Sequence, residues 1–260
     1  MTALRAAAKG VFAAADLLHR PPKGPRVLIY HQVGAGLGRQ MEVSYDDFVW
    51  QLDWLADNRE VTSLEDAIAR WDDDDADQMV VITFDDGYQD TYRVAFPALA
   101  ERRLPFTIYL STSHIETQEG RPGAEPLSWD EVTQMVESGL VTLGSHTHTH
   151  PDLRTASADV VERELSWSDE LITSKLGVAP RHFAYPWGYW SEVADRYVRV
   201  RYDSAALGSR NTAVNPSDPH LLHRVPVQLS DRRVWFKRRL AGGLLLEERA
   251  RRRLRGYTGP

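Results

Sequence analysis

Met79-Val80-Val81-Ile82-Thr83-Phe84-Asp85-Asp86-Gly87 is the stretch on which the reading of the chain turns. An apolar, β-branched run followed by two carboxylates and a glycine predicts a buried strand that stops abruptly and delivers acid groups to an edge. Carboxylates taken out of water need a partner, a hydrogen bond or a cation, so two in succession require company. About sixty residues on, Gly144-Ser145-His146-Thr147-His148-Thr149-His150 follows a second apolar strand, Leu140 to Leu143, and offers histidines. His146 and His150 stand at i and i+4, a spacing expected to put both imidazoles on one side of a helical turn, where they can bind one ion. One carboxylate with two histidines leaves coordination positions open for water, the pattern of a hydrolytic metal site, and leaves the other carboxylate free to take a proton.

Strands and helices alternate outward from this point. Helices are expected over residues 45–58, Ser63 to Trp71, Thr91 to Ala100, from Ser128 (a capping box with Glu131) to Gly139, and Ala158 to Leu176; strands are expected over Arg26 to Tyr30, Pro105 to Leu110, Arg181 to Tyr185, Asp203 to Leu207 and Leu222 to Val227. This alternation predicts a distorted parallel (β/α) barrel of about seven strands over residues 26–229, with functional residues at the C-terminal ends of its strands. His31, Asp85, Asp86, His146 and Trp187 all fall at such ends.

The 260-residue chain carries 31 basic and 37 acidic residues, a net charge of -6 that gives no support to nucleic-acid binding. With no cysteine, disulfides, thiolate metal sites and a cysteine nucleophile are excluded. No apolar run reaches the length of a membrane span. Residues 1–25 read as an N-terminal amphipathic helix and a proline-rich linker; Val11 to Ala15 is too short for the core of a signal peptide, so cytoplasmic residence is the expectation. Residues 230–260 form a basic tail that includes Arg232, Arg233, Lys237, Arg238 and Arg239 interleaved with Val234, Trp235, Phe236 and Leu240. It reads either as a helix resting on anionic lipid at the inner membrane face or, more commonly for such helices, as one packed on the barrel.

Three motifs in order now resemble the polysaccharide deacetylase family, the NodB-homology or carbohydrate esterase family 4 enzymes. Thr83 to Gly87 looks like the first, Ser145 to His150 the second, and Phe183-Ala184-Tyr185-Pro186-Trp187-Gly188 the third. The likeness runs from about Arg26 to Val227 and is closest to the permuted branch of poly-N-acetylglucosamine deacetylases, in which a Tyr-His pair, here Tyr30-His31, precedes the first motif. The resemblance implies that Asp86, His146 and His150 bind a divalent metal, usually zinc, with cobalt, nickel, iron or manganese as substitutes. It implies Asp85 as the base that activates water, the Trp187 backbone N–H as oxyanion donor and His31 as the acid to the leaving amine, with His223 second. Tyr185, Trp187 and Trp190 are candidates for substrate contact, since aromatic faces at this rim can stack on a sugar ring. The implied reaction is removal of the N-acetyl group from a polysaccharide, oligosaccharide or lipid-linked glycan. An O-acetyl esterase, a small-amide hydrolase and a non-catalytic glycan-binding protein are the alternatives. One departure stands out: Ala184 occupies the position where members with an R-x-P-Y third motif carry an arginine, so the cation that orients Asp85 is unassigned.

Overall fold

The computed structural model describes residues 23–120, 122–208 and 218–243. The expected N-terminal helix and the tail beyond Gly243 lie outside the described residues. Among the described residues seven parallel strands form the main path of the sheet, with the two-residue strand Glu60–Val61 paired beside the second of them: β1 (Arg26–Tyr30), β2 (Met79–Phe84), β3 (Phe106–Leu110), β4 (Val141–Ser145), β5 (His182–Ala184), β6 (Ser204–Ala206) and β7 (Arg224–Pro226). They pair in the order β7-β1-β2-β3-β4-β5-β6. A parallel bridge between Ala206 and Leu222, just ahead of β7, brings the two ends of the sheet together. The result is the distorted barrel expected from the alternation.

Short apolar runs make these strands because both faces are buried, one against the barrel interior and one against helices. Three of the helices start where serine meets an acid three residues on. Ser44 caps α1 (Tyr45–Asn58), Ser63 caps α2 (Leu64–Ala69) and Ser128 with Glu131 closes a capping box on α5 (Trp129–Glu137), each cap contributing about 1 kcal/mol. Between them lie α3 (Phe96–Glu101) and α4 (Thr112–Thr117); α6 (Ala158–Leu176), α7 (Glu192–Arg201) and α8 (Arg233–Leu240) complete the set used below. The helix expected from Thr91 opens as a π-turn, Thr91–Ala95, before α3. Pro97 has no amide to give the Arg93 carbonyl, and the wider turn accommodates the loss.

Part of the basic tail, helix α8, packs on the barrel. Phe236 and Leu240 are buried in the core, and the Phe236 ring meets Trp50 and Trp54 edge-on at 6.2 and 6.3 Å. Arg239 is buried too and donates to Asp231 at 2.7 Å. Phe236 and Leu240 therefore pack inward, Phe236 against α1, while Val234 on the same helix stays 70% exposed. Among the described residues no helix is long and apolar enough to cross a bilayer.

Candidate active site

Side chains alternate along a strand, so each barrel strand has one inward register. Continued one residue past the strand, that register reaches His31 after β1, Asp85 after β2 and His146 after β4. All three line one cavity of about 660 Å³ at the C-terminal end of the barrel, together with Asp86, His150 and Trp187. Below it the barrel is filled. Tyr109 on β3 lies across Gly144 on β4, where an added Cβ would sit 2.6 Å from the ring's Cε1, so only glycine lets the ring occupy the interior.

Asp85 is buried and held by an arginine that the third motif does not contain. Arg224, 2% exposed on β7, donates from Nη1 to Oδ1 at 2.6 Å and from Nη2 to Oδ2 at 2.7 Å, the bidentate geometry that fixes a carboxylate in plane. Arg224 also donates to the Leu207 carbonyl at 3.0 Å and to Thr83 Oγ1 at 3.2 Å. Burial would raise the Asp85 carboxyl, but Arg224 and then His146 more than offset it and hold it below the ordinary carboxylate value. Sequence reasoning missed this residue. Its signal was present: a buried strand, Leu222 to Val227, with an arginine on the same alternation as two apolar residues has to aim that charge at a carboxylate.

Asp86, His146 and His150 converge, with one ligand atom from each lying within 4.8 Å of the others. Asp86 Oδ1 stands 3.4 Å from Nε2 of His146 and 3.4 Å from Nε2 of His150. A tetrahedral ion with bonds of about 2.0–2.1 Å spaces its ligand atoms by roughly 3.4 Å, so the donor set and its separations fit a zinc-like ion. His146 Nδ1 lies 2.7 Å from the Ala184 carbonyl and donates to it, which turns the Nε2 lone pair toward Asp86. The Ala184 position thus contributes its backbone. Burial opposes protonation of His146, yet Asp85 and Asp86 together raise its pKa; His150 is pushed down to about 4 by burial and by His146. Asp86 is held below its ordinary value, burial being outweighed by His146 and the other histidines.

The histidine pair corrects one expectation. Residues 146–150 are not a helical turn: Thr147 and His150 have left-handed backbone, φ 67° and 57°, and this bent loop, not a helix, brings the two rings to 4.9 Å. His148 points away, to Thr112 Oγ1 at 2.9 Å and to the Trp167 ring.

Trp187 takes φ 61° and is 63% exposed, with its ring 5.2 Å from that of His150 at the cavity rim. The turn is tight because Gly188 meets the backbone of Gly208, where a Cβ would lie 2.5 Å from the Gly208 nitrogen. Tyr185 and Trp190, expected at the substrate, do not line the cavity. Tyr185 sits on the outward register of β5, fully buried against Phe183, and donates to Asp195 at 3.3 Å; Trp190 packs against the same outer cluster. His223 alternates with Arg224 and is likewise buried away from the cavity lining, whereas His31 lies within it.

The polysaccharide deacetylase family model matches residues 72–203, just over half of the chain. YxkH of Bacillus subtilis, named for the same family, is 26% identical over 212 residues, which cover 80% of this chain and 72% of that protein. The poly-beta-1,6-N-acetyl-D-glucosamine N-deacetylase of Staphylococcus aureus is 25% identical over 164 residues, covering 59% of this chain and 56% of the enzyme, so the match spans little more than half of that enzyme's length. Among solved structures, IcaB from Ammonifex degensii superposes with a TM-score of 0.69 at 26% identity, over 82% of this chain and 95% of that one. The Streptococcus pyogenes deacetylase PplD, in complex with acetate, shares the fold with a TM-score of 0.72 at 24% identity, over 84% and 97% of the two chains. With this span matched, and with a carboxylate pair, two histidines and the turn at Trp187 gathered at one end of one barrel, the chain belongs to the polysaccharide deacetylase family of hydrolases.

Proposed function

We propose that the protein removes the acetyl group from N-acetylated sugar residues of a glycan, with a divalent metal, zinc first, held by Asp86, His146 and His150. One observation carries the reading. Asp85, locked by Arg224 and 3.8 Å from the Nε2 of His146, is a buried carboxylate standing beside the three converging ligands without being one of them. When bound, the ion would supply Lewis acidity, polarising the acetyl carbonyl and lowering the pKa of a water.

The chain's own groups do the rest. Asp85, kept ionised by Arg224, accepts the proton of the attacking water, and the two Arg224 bonds fix the direction of its lone pairs. The Trp187 N–H, at the left-handed turn on the rim, is the backbone donor to the oxyanion that develops on the acetyl oxygen. His31 donates a proton to the sugar nitrogen, which leaves as the amine only once protonated. The exposed Trp187 indole offers an apolar face to the sugar ring.

Support for an N-acetylglucosamine polymer comes from the S. aureus relative, whose name states that substrate. The test is acetate release from β-1,6-linked N-acetylglucosamine oligomers by protein stripped with a chelator, before and after zinc is added, with Asp85→Asn as control. Activity restored by zinc and absent in the variant is the expected outcome. Tight metal binding without acetate release from any N-acetylated oligomer would refute the glycan reading.

A further inference from the structure

The loop between the two histidines has a shape that its own residues disfavour. Left-handed backbone at Thr147 and His150 costs a residue with a Cβ about 1 kcal/mol or more at each position. His146 is placed by the strand before it, its N–H donating to the Leu110 carbonyl at 2.9 Å. His150 stands four residues further along. Its 3.4 Å approach to Asp86 exists only while the turn between keeps its form.

That turn is gripped from two sides. Its carbonyls go to the start of α4, where the Thr112 N–H donates to Thr147 O at 3.3 Å and the Ser113 N–H to His148 O at 2.9 Å. Its amides go to one side chain. Glu164 on α6, 5% exposed, accepts the His148 N–H at 3.0 Å and the Thr149 N–H at 2.7 Å on Oε2, and the Thr149 hydroxyl at 2.7 Å on Oε1. One helical turn on, Ser168 Oγ lies 2.9 Å from Ser145 Oγ, immediately before His146. A single face of α6 therefore holds the root of the loop and its crest.

We propose that Glu164 is a positioning residue of the metal site: its carboxylate fixes the amides of residues 148 and 149 and so sets the separation of His146 and His150, on which a shared ion depends. The inference rests on the reading of Asp86, His146 and His150 as metal ligands. Burying a carboxylate is costly, and three hydrogen bonds to the loop offset that cost. An apolar residue at position 164 would fill the space and leave the His148 and Thr149 amides without their acceptor.

The experiment titrates the full chain, stripped of metal, with cobalt(II) and zinc(II), reading affinity by calorimetry and the ligand field from cobalt absorption. Glu164→Leu is expected to weaken binding by about 10- to 100-fold, as loss of groups that orient ligands does, and to change the cobalt spectrum. Glu164→Gln keeps the shape, its oxygen accepting both amides and its NH2 group donating to the Thr149 hydroxyl, and stays within about threefold of wild type, well short of that loss. A folded Glu164→Leu protein that binds as tightly as wild type overturns the proposal. So does a Glu164→Gln protein as weak as the Leu variant, because charge and not placement would then be the cause. Should the Leu variant fail to fold, Glu164→Asp, one methylene too short to span both amides, decides: about a tenfold loss or more supports the proposal, and unchanged affinity overturns it. Wild-type protein that binds no metal would refute the ligand assignment and this inference together, whereas binding without acetate release refutes only the substrate reading.

Discussion

Arg224→Met is the perturbation that tests most of the site at once. The methionine keeps much of the arginine stem's volume and removes the guanidinium, so the two bonds of 2.6 and 2.7 Å to Asp85 are lost and a buried carboxylate is left without its cation. Breaking a buried pair from one side costs about 3–5 kcal/mol, a large part of the stability of an ordinary domain. Asp85→Asn strands the guanidinium instead and is costly for the same reason. Removing both partners leaves neither charge buried alone, so Arg224→Met with Asp85→Asn should be more stable than Arg224→Met by about 2 kcal/mol or more. The assay is urea unfolding of metal-free protein at pH 7 for wild type, both single variants and the double variant. The sign in pH follows from Asp85: its folded pKa is depressed, so the pair's contribution is fully present above the unfolded value near 3.8 and is lost as the pH falls through the lower folded value. Single losses that add to within about 0.5 kcal/mol in the double variant would refute the coupling, and with it the claim that Arg224 is the cation orienting the base.

Other outcomes follow from the same geometry. Gly144→Ala drives a methyl into the Tyr109 ring and should destabilise the protein by about 1–3 kcal/mol in urea titrations, with Tyr109→Leu in the same chain recovering part of the loss. Trp187→Ala, at a largely exposed side chain, should leave stability within about 0.5 kcal/mol while raising KM for the glycan by roughly three- to tenfold. His31→Asn should lower the rate of acetamide cleavage by about a hundredfold or more and that of an activated acetyl ester far less, because only the amine must be protonated to leave; equal losses would remove His31 from the acid role. Asp90, whose carboxyl accepts the Val33 N–H, is pushed up to about 7 by burial and by Glu42. The folded state then keeps a proton that the unfolded chain releases, so stability falls as the pH rises from about 4 to 7, and Asp90→Asn should raise the Tm at pH 8 and not at pH 4; an equal shift at both would contradict the assignment.

Much of the fold was legible because it depends on local signals. Serine caps with an acid three residues on mark the starts of α1, α2 and α5, and apolar runs mark β1 to β4, so the alternation and the barrel follow. Asp85, Asp86, His146 and His150 were legible because two carboxylates and two histidines cannot end buried strands without partners. The helical turn at His146 was misread because i, i+4 spacing says nothing about backbone when residues such as Thr147 adopt left-handed φ. Tyr185 and Trp190 were misplaced by adjacency to the third motif; strand alternation turns Tyr185 outward, and that much could have been read from Ala184 facing in. Glu164 was not assigned because its partners lie 15 or more residues away on an irregular loop; the alternation around Arg224 signals an inward charge but not which carboxylate, 139 residues away, it meets.

Arg224 also explains how Asp85 is held with an alanine at position 184. An arginine at position 184 would reach Asp85 from β5, three strands away in the sheet order β2-β3-β4-β5, whereas Arg224 reaches it from β7 across β1 alone. A barrel interior this narrow lets either side of the ring supply the guanidinium, and with the guanidinium on β7 residue 184 remains small while its backbone carbonyl accepts from His146. The same choice ties chemistry to closure. Leu222 bridges to Ala206 where the ends of the sheet meet, and two residues later, on the same inward alternation, Arg224 bonds the Leu207 carbonyl, Thr83 and Asp85. Arg224 thus adds side-chain bonds to the backbone bonds that Leu222 makes with Ala205 and Leu207, so whatever loosens the closing strand also loosens the grip on Asp85.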